Sequence, residues 1–434
     1  MTNFDRLGGP RAWFVWTLAT LFVIAGFAFQ TAYGVTSTAI ANDLSLTLAQ
    51  VGILGTTYTW AVAVLQLFSG SVLDRVGIRI LAWVSLFSVV GGFAYANAGS
   101  FEILIFSNML IAVGHAFAFV GAGMVGGKWF GWGRFGFMFG LVQGAGALGS
   151  YFNQNVTRYI VEDYGWSFSL NVIAAIILII SVLMLFFVRE PRLPDLEKPK
   201  WTGTKDFLSS SLNSLKHVAV RPHLWLNSLH GGMTFGVHLS LSLVWGPIFL
   251  TATGMSVFDA VAISSFAFLG MLIGCPLWVW VSEKIKMNRP LTVIPAIFQA
   301  LSLAYVILDP SQASKVSFFF IGLFSAGTAM NYPIAGSLVP NSLVGTSSAF
   351  VNTMQFFWSG VLMAIPGLAL SGVGIWAFFA GTTGIDADAP TLAHYQSAMM
   401  LLVYAVGIGA IAGLLTKESY PSEKNAKDRE EVTL

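Results

Sequence analysis

Long apolar runs separated by short polar punctuation set the pattern of this chain. A helix needs roughly 20 apolar residues to cross the hydrocarbon of a bilayer. Runs of that order fall at 12–35, 48–71, 79–98, 101–126, 135–157 and 167–188, then at 223–250, 258–281, 290–308, 316–339, 345–372 and 392–416. None alternates with the period of two that a barrel strand requires. The pattern predicts an all-α membrane protein of twelve transmembrane helices. The first run follows Arg6 and Arg11, is too long for a signal-peptide core and lacks a small-residue cleavage site, so it reads as the first span.

Composition agrees with that pattern. Charged residues are 10% of the chain and hydrophobic ones 56%, whereas soluble domains carry about 25% charged residues. A soluble fold could not cover its surface with so few charges. The net charge of +2 gives no reason to expect a nucleic-acid partner, and the single cysteine, Cys275, excludes an internal disulfide. No Walker loop, zinc spacing or nucleophile with its base is present, so neither an enzyme nor a cofactor is expected.

Basic residues set the orientation. With the N-terminus in the cytoplasm, 20 of the 22 Lys and Arg residues fall on the cytoplasmic side, leaving Arg158 and Lys315 outside. Both termini are thus expected in the cytoplasm of a bacterial inner membrane. The longest polar stretch between spans divides the chain into an N-terminal six-helix bundle (1–188), a cytoplasmic linker (189–222), a C-terminal six-helix bundle (223–416) and a charged tail (417–434), expected to be disordered. Phe207, Leu212 and Leu215 predict a short amphipathic helix in the linker.

The halves resemble each other. Asp74-Arg75-Val76 matches Glu283-Lys284-Ile285, and Gly140-Leu141-Val142-Gln143 matches Ala349-Phe350-Val351-Asn352, both at an offset of 209. Repeats of this kind place a solute site at the bilayer midplane. The pattern therefore favours a secondary transporter, expected to be monomeric, with the lipid bilayer and a small solute or ion as its partners.

The stretch Gly70-Ser71-Val72-Leu73-Asp74-Arg75-Val76-Gly77-Ile78-Arg79 resembles the loop 2–3 signature of the major facilitator superfamily, and Ser282-Glu283-Lys284 with Arg289 resembles its degenerate second copy. The resemblance covers essentially the whole chain. It implies two pseudo-symmetric six-helix bundles and a conformational latch formed by Gly70, Asp74, Arg75, Gly77, Arg79, Glu283 and Lys284. Physically, Asp74 can accept from free N–H groups of a neighbouring helix. A narrower resemblance, at residues 116–121, 128–135 and 243–247, is to a bacterial branch that includes phagosomal amino-acid transporters; magnetosome-membrane transporters share the superfamily. Many members carry a proton-coupling arginine in span 4, where this chain has Asn108.

All Asp and Glu residues lie outside the span centres, so histidines and amides remain as candidates for the chemistry. The expected substrate-cavity residues are Gln30, Asn108, His115, Gln143, His238, Asn331, Asn352 and Gln355. Amides both donate and accept hydrogen bonds, which suits a small polar solute such as an amino acid or carboxylate, moved in company with protons or by exchange. Two alternatives stand beside this reading. One is a transition-metal (iron) transporter using His115, His230 and His238; His230 and His238 lie about 80° apart on a straight helix, so a shared metal requires a bend at Gly231-Gly232. The other is a non-transporting membrane sensor or assembly protein. The glycines of span 5, Gly140, Gly144, Gly146 and Gly149, read as packing residues. Trp245, before Gly246-Pro247, is placed to gate the outer mouth.

Overall fold

The structure is a computed structural model describing residues 5–193, 204–387 and 389–420. Those residues form helices joined by short turns, with no strand among them. The first helices are α1 (Pro10–Asp43), α2 (Leu48–Val76), α3 (Ile80–Ala96), α4 (Phe101–Phe130), α5 (Phe135–Phe152) and α6 (Arg158–Phe187). The linker carries α7 (Thr204–Ala219). After it come α8 (Pro222–Ser240), α9 (Gly246–Ala252), α10 (Val257–Ile285), α11 (Pro290–Leu308), α12 (Lys315–Ser325), α13 (Asn331–Ser337), α14 (Val344–Leu370), α15 (Gly374–Ala380) and α16 (Leu392–Leu415). Nine helical segments of the described residues are long and apolar enough to cross a membrane. Their outer faces are apolar too: Phe106, Ile179, Leu301 and Ile411 are each more than half exposed, as expected where lipid rather than water covers them.

Two compact units share the described residues. One contains the chain up to Leu224 together with Tyr332–Thr353, and the other contains Trp225–Asn331 with Met354–Tyr420. Lipid supplies no hydrophobic drive between helices, so close backbone contact must hold them. In the first unit a Cβ at Gly149 would lie 2.4 Å from the Ile24 carbonyl oxygen, so α5 meets α1 at the glycine stripe. In the second, a Cβ at Gly322 would lie 1.8 Å from the Ala267 carbonyl oxygen, and one at Gly270 would lie 1.9 Å from that of Phe319. Helices α10 and α12 therefore touch backbone to backbone.

The repeat extends to helix capping. Glu190, after α6, accepts from the Ile78 N–H at 2.7 Å before α3 and from Lys128 Nζ at 3.0 Å. Glu418, after α16, accepts from the Asn288 and Arg289 N–H groups at 2.9 and 3.0 Å before α11. Each unit thus borrows a carboxylate from the end of its last span to satisfy N–H groups at the start of its third.

Several segments depart from the sequence reading. Spans 5 and 6 part at Gly165, φ +82°, inside the gap expected between 157 and 167, but helix continues up to that break through a π-helical turn at Asn153–Thr157 where the pattern ends the span. Span 10 is interrupted, since α12 passes through a 3₁₀ turn at Ala326–Met330 into α13. The short helix α15 follows span 11 unannounced. The linker helix forms where the amphipathic pattern falls; it leaves Leu212 exposed, buries Ser211, Ser214 and Val218, and is tied to α2 where Ser214 accepts from Arg75 Nη2 at 2.8 Å. The Phe207 side chain, and the tail from residue 421 expected to be disordered, lie outside the described residues.

Candidate functional site

The loop signature is built around Asp74, just beyond the apolar run 48–71. Helix α14 starts after Leu343, and its early N–H groups need acceptors. Asp74 provides them from α2: Oδ1 accepts from Gly345 N at 3.0 Å, and Oδ2 from Thr346 N at 2.8 Å and Thr346 Oγ1 at 2.9 Å. The neighbouring helix that the sequence left unnamed is α14. Gly70 makes the approach possible, because a Cβ there would lie 2.1 Å from the Gly345 carbonyl oxygen. Burial pushes the Asp74 carboxyl up to about 6, with the bonds from Thr346 and Gly345 and the charge of Lys128 pulling it back. Gly77 ends α2 at φ +88°, a conformation that only glycine adopts freely, while Arg79 is exposed. In the second copy Lys286 ends α10 at φ +56°, and both Glu283 and Lys284 are exposed, with Lys284 over the Trp280 ring.

An aromatic cluster lies along α5 in the same unit. Tyr332 stacks on Phe139 with centroids 4.2 Å apart, and Phe119 packs edge-on against both. The Tyr332 hydroxyl donates to Asn352 Oδ1 at 2.8 Å. That leaves Asn352 Nδ2 buried with no hydrogen-bond partner among the described residues, and Gln143 Oε1, one turn beyond Phe139, is in the same condition. The pair thus offers one unspent donor and one unspent acceptor.

Other expected residues are already engaged or set apart. Asn108 Nδ2 donates to the Leu54 carbonyl at 3.2 Å, and Gln30 is half-buried on α1. In the second unit Asn331 Nδ2 donates to Asn227 O and Oδ1 at 2.7 and 2.8 Å and reaches His230 Nδ1 at 3.0 Å. His230 Nε2 meets the Thr292 carbonyl at 3.0 Å, so both ring nitrogens are used. Thr328 Oγ1 donates to Asn331 Oδ1 and accepts from Gln355 Nε2. This network ties α8, α11 and α14 to the broken span 10. Gly231 and Gly232 loosen nothing: α8 runs through them, and their missing side chains admit Gln355 and Trp358 instead. No three His, Cys, Asp or Glu side chains among the described residues come together as a metal site.

His238 places Nδ1 3.0 Å from Ser325 Oγ, which itself donates to the Gly322 carbonyl; the histidine is then the donor to Ser325, and buried Nε2 is a bare acceptor. Trp245 is buried, its Nε1 donating to the Met363 carbonyl at 2.8 Å, in a π-helical turn at Leu241–Trp245. Sequence reasoning missed Tyr58, Tyr332, Thr346, Glu190 and Glu418. An in-span tyrosine is a usable signal for the first two; nothing local marks the others, whose roles depend on distant helix ends.

Comparison with known proteins agrees with this architecture. The family model described as Major Facilitator Superfamily matches residues 18–364. The probable galactarate/D-glucarate transporter of Bacillus subtilis is 22% identical, with 88% of this chain and 90% of that protein covered. A probable nitrate/nitrite transporter of Mycobacterium tuberculosis is 25% identical, covering 77% of this chain and 83% of its own. Among solved structures, the proton:xylose symporter XylE superposes with a TM-score of 0.71 at 14% identity, covering 94% of this chain and 96% of that one. A bacterial homologue of the human lysosomal transporter Spinster gives 0.60 at 17%, covering 97% and 98%. Both likenesses show the fold. The chain belongs to the Major Facilitator Superfamily and is a multi-pass membrane protein with its all-α fold of twelve helices.

Proposed function

We propose that this protein is a secondary active transporter of a small polar organic solute, an amino acid or a carboxylate, working by alternating access. The observation that carries the reading is the pair of buried, unspent amide atoms, Asn352 Nδ2 and Gln143 Oε1, beside the Phe139–Tyr332 stack. A donor and an acceptor suit a solute with both a carboxylate and an amino or hydroxyl group. Relatives named as probable transporters of glucarate and of sulfoacetate support the carboxylate class. Asp74, Gly70 and the first turn of α14 act as the latch that forms and releases with each cycle. The basic-residue asymmetry supports a topology with both termini in the cytoplasm, in a bacterial inner membrane. No carboxylate lies at a span centre to carry a proton, so coupling runs through exchange or through groups other than Asp and Glu.

The test is a thermal-shift screen of the purified protein with amino acids, carboxylates, sugars and divalent metals. A ligand at a hundred times its Kd stabilises the fold by about 2.7 kcal/mol. Stabilisation by an organic acid or amino acid, lost in Gln143→Ala and Asn352→Ala, supports the reading. Stabilisation confined to metals or sugars contradicts it.

A further inference from the structure

In the first unit His115 of α4 is buried, with Nδ1 2.8 Å from the Tyr58 hydroxyl of α2. The opposite nitrogen, Nε2, is buried and finds no partner among the described residues. Which nitrogen carries the proton follows from counting. If Nδ1 carried it, both the phenol proton and the bare Nε2 would go unmatched. If Tyr58 donates to Nδ1, only the Nε2–H is left over. Buried unmatched groups are costly, so the second arrangement wins. The Nε2 edge faces Gly26 of α1, where an added Cβ would lie 3.1 Å from both Nε2 and Cδ2. Glycine at that position leaves the buried Nε2 edge of the ring with no α1 side chain against it there.

We propose that His115 donates its Nε2–H to a carboxylate oxygen of the solute, and that Tyr58 is the positioning residue that fixes this tautomer. The inference rests on the transport reading above and deepens it, since it assigns the histidine a direction and its ligand atom a class.

The test uses full-length protein labelled with ¹⁵N-histidine in detergent, with succinate and L-serine as probes. Nitrogen spectra are expected to show His115 protonated at Nε2, and Tyr58→Phe to move part of the population to Nδ1. Glutamine places an amide donor near the Nε2 position and asparagine places one near Nδ1. His115→Gln should therefore bind the responding probe within about threefold of wild type, while His115→Asn loses about tenfold, the scale of one buried hydrogen bond. Gly26→Ala should weaken the probe without changing the tautomer. A wild-type proton on Nδ1, or probe binding unaltered in His115→Asn, overturns the inference and leaves the transport reading standing. Failure of the wild-type protein to bind either probe overturns the carboxylate assignment in both.

Discussion

Replacing Asp74 with alanine removes the side-chain acceptors of two early N–H groups of α14, those of Gly345 and Thr346. Both residues are buried, so water cannot take over the bonds while the helix stays packed. Each buried N–H left unmatched costs about 1–3 kcal/mol. The two together cost about 2–6 kcal/mol, leaving aside the lost bond from the Thr346 hydroxyl. Even the lower figure shifts the balance between latched and released arrangements on the order of 30-fold. Asp74→Asn keeps one oxygen and should fall between. Spin labels at Gly133, where an added side chain meets nothing within 4 Å, and at the exposed Ser342 report the arrangement by pulsed electron resonance. The wild type should show one dominant short distance and Asp74→Ala a dominant longer one. An unchanged distance distribution in Asp74→Ala would refute the capping argument.

Further outcomes follow from the same geometry. Because burial raises Asp74 to about 6, the packed site favours the protonated carboxyl. The latched arrangement is therefore most stable below the ordinary carboxylate range of about 4 and weakens as pH rises through about 6; the same distance measured from pH 5 to 8 should shift in wild type and stay flat in Asp74→Asn. Gly322→Ala places a methyl 1.8 Å from a backbone oxygen that no side-chain rotation relieves. It should lower the thermal midpoint by more than any single polar substitution in the second unit, and an unchanged midpoint would contradict the packing of α10 on α12. Asparagine at His238 keeps a donor near Nδ1 for Ser325 whereas glutamine does not, so His238→Asn should melt closer to wild type than His238→Gln. Equal melting of the two variants would remove the assigned direction of that bond.

Sequence alone shows what depends on local pattern. Apolar run length marks the spans, and the Asp74 and Gly70 motif marks the end of α2 that meets α14. It even supplies the type of partner, a helix with free N–H groups, though not that this is α14, some 270 residues away. Periodicity fails where a different term dominates. The stripe of Phe207, Leu212 and Leu215 marks α7 but not its tie to α2, which the Arg75–Ser214 bond supplies. Span 10 reads as one continuous apolar run, yet its polar residues Thr328 and Asn331 bond outward to α8 and α14, and the helix breaks between them. Among the amides, residue type alone cannot separate Asn331, whose bonds are spent, from Asn352, which keeps a donor in reserve.

The central claim is that Gln143 and Asn352 hold a carried solute, and counterflow into proteoliposomes tests it most directly. Vesicles loaded with an unlabelled amino acid or carboxylate that stabilises the protein are placed in its radiolabelled form. The account predicts accumulation of label by wild type, loss of about tenfold or more in Gln143→Ala and Asn352→Ala, and no accumulation when the latch is disabled by Asp74→Ala. Accumulation at wild-type rates in both amide variants would contradict it.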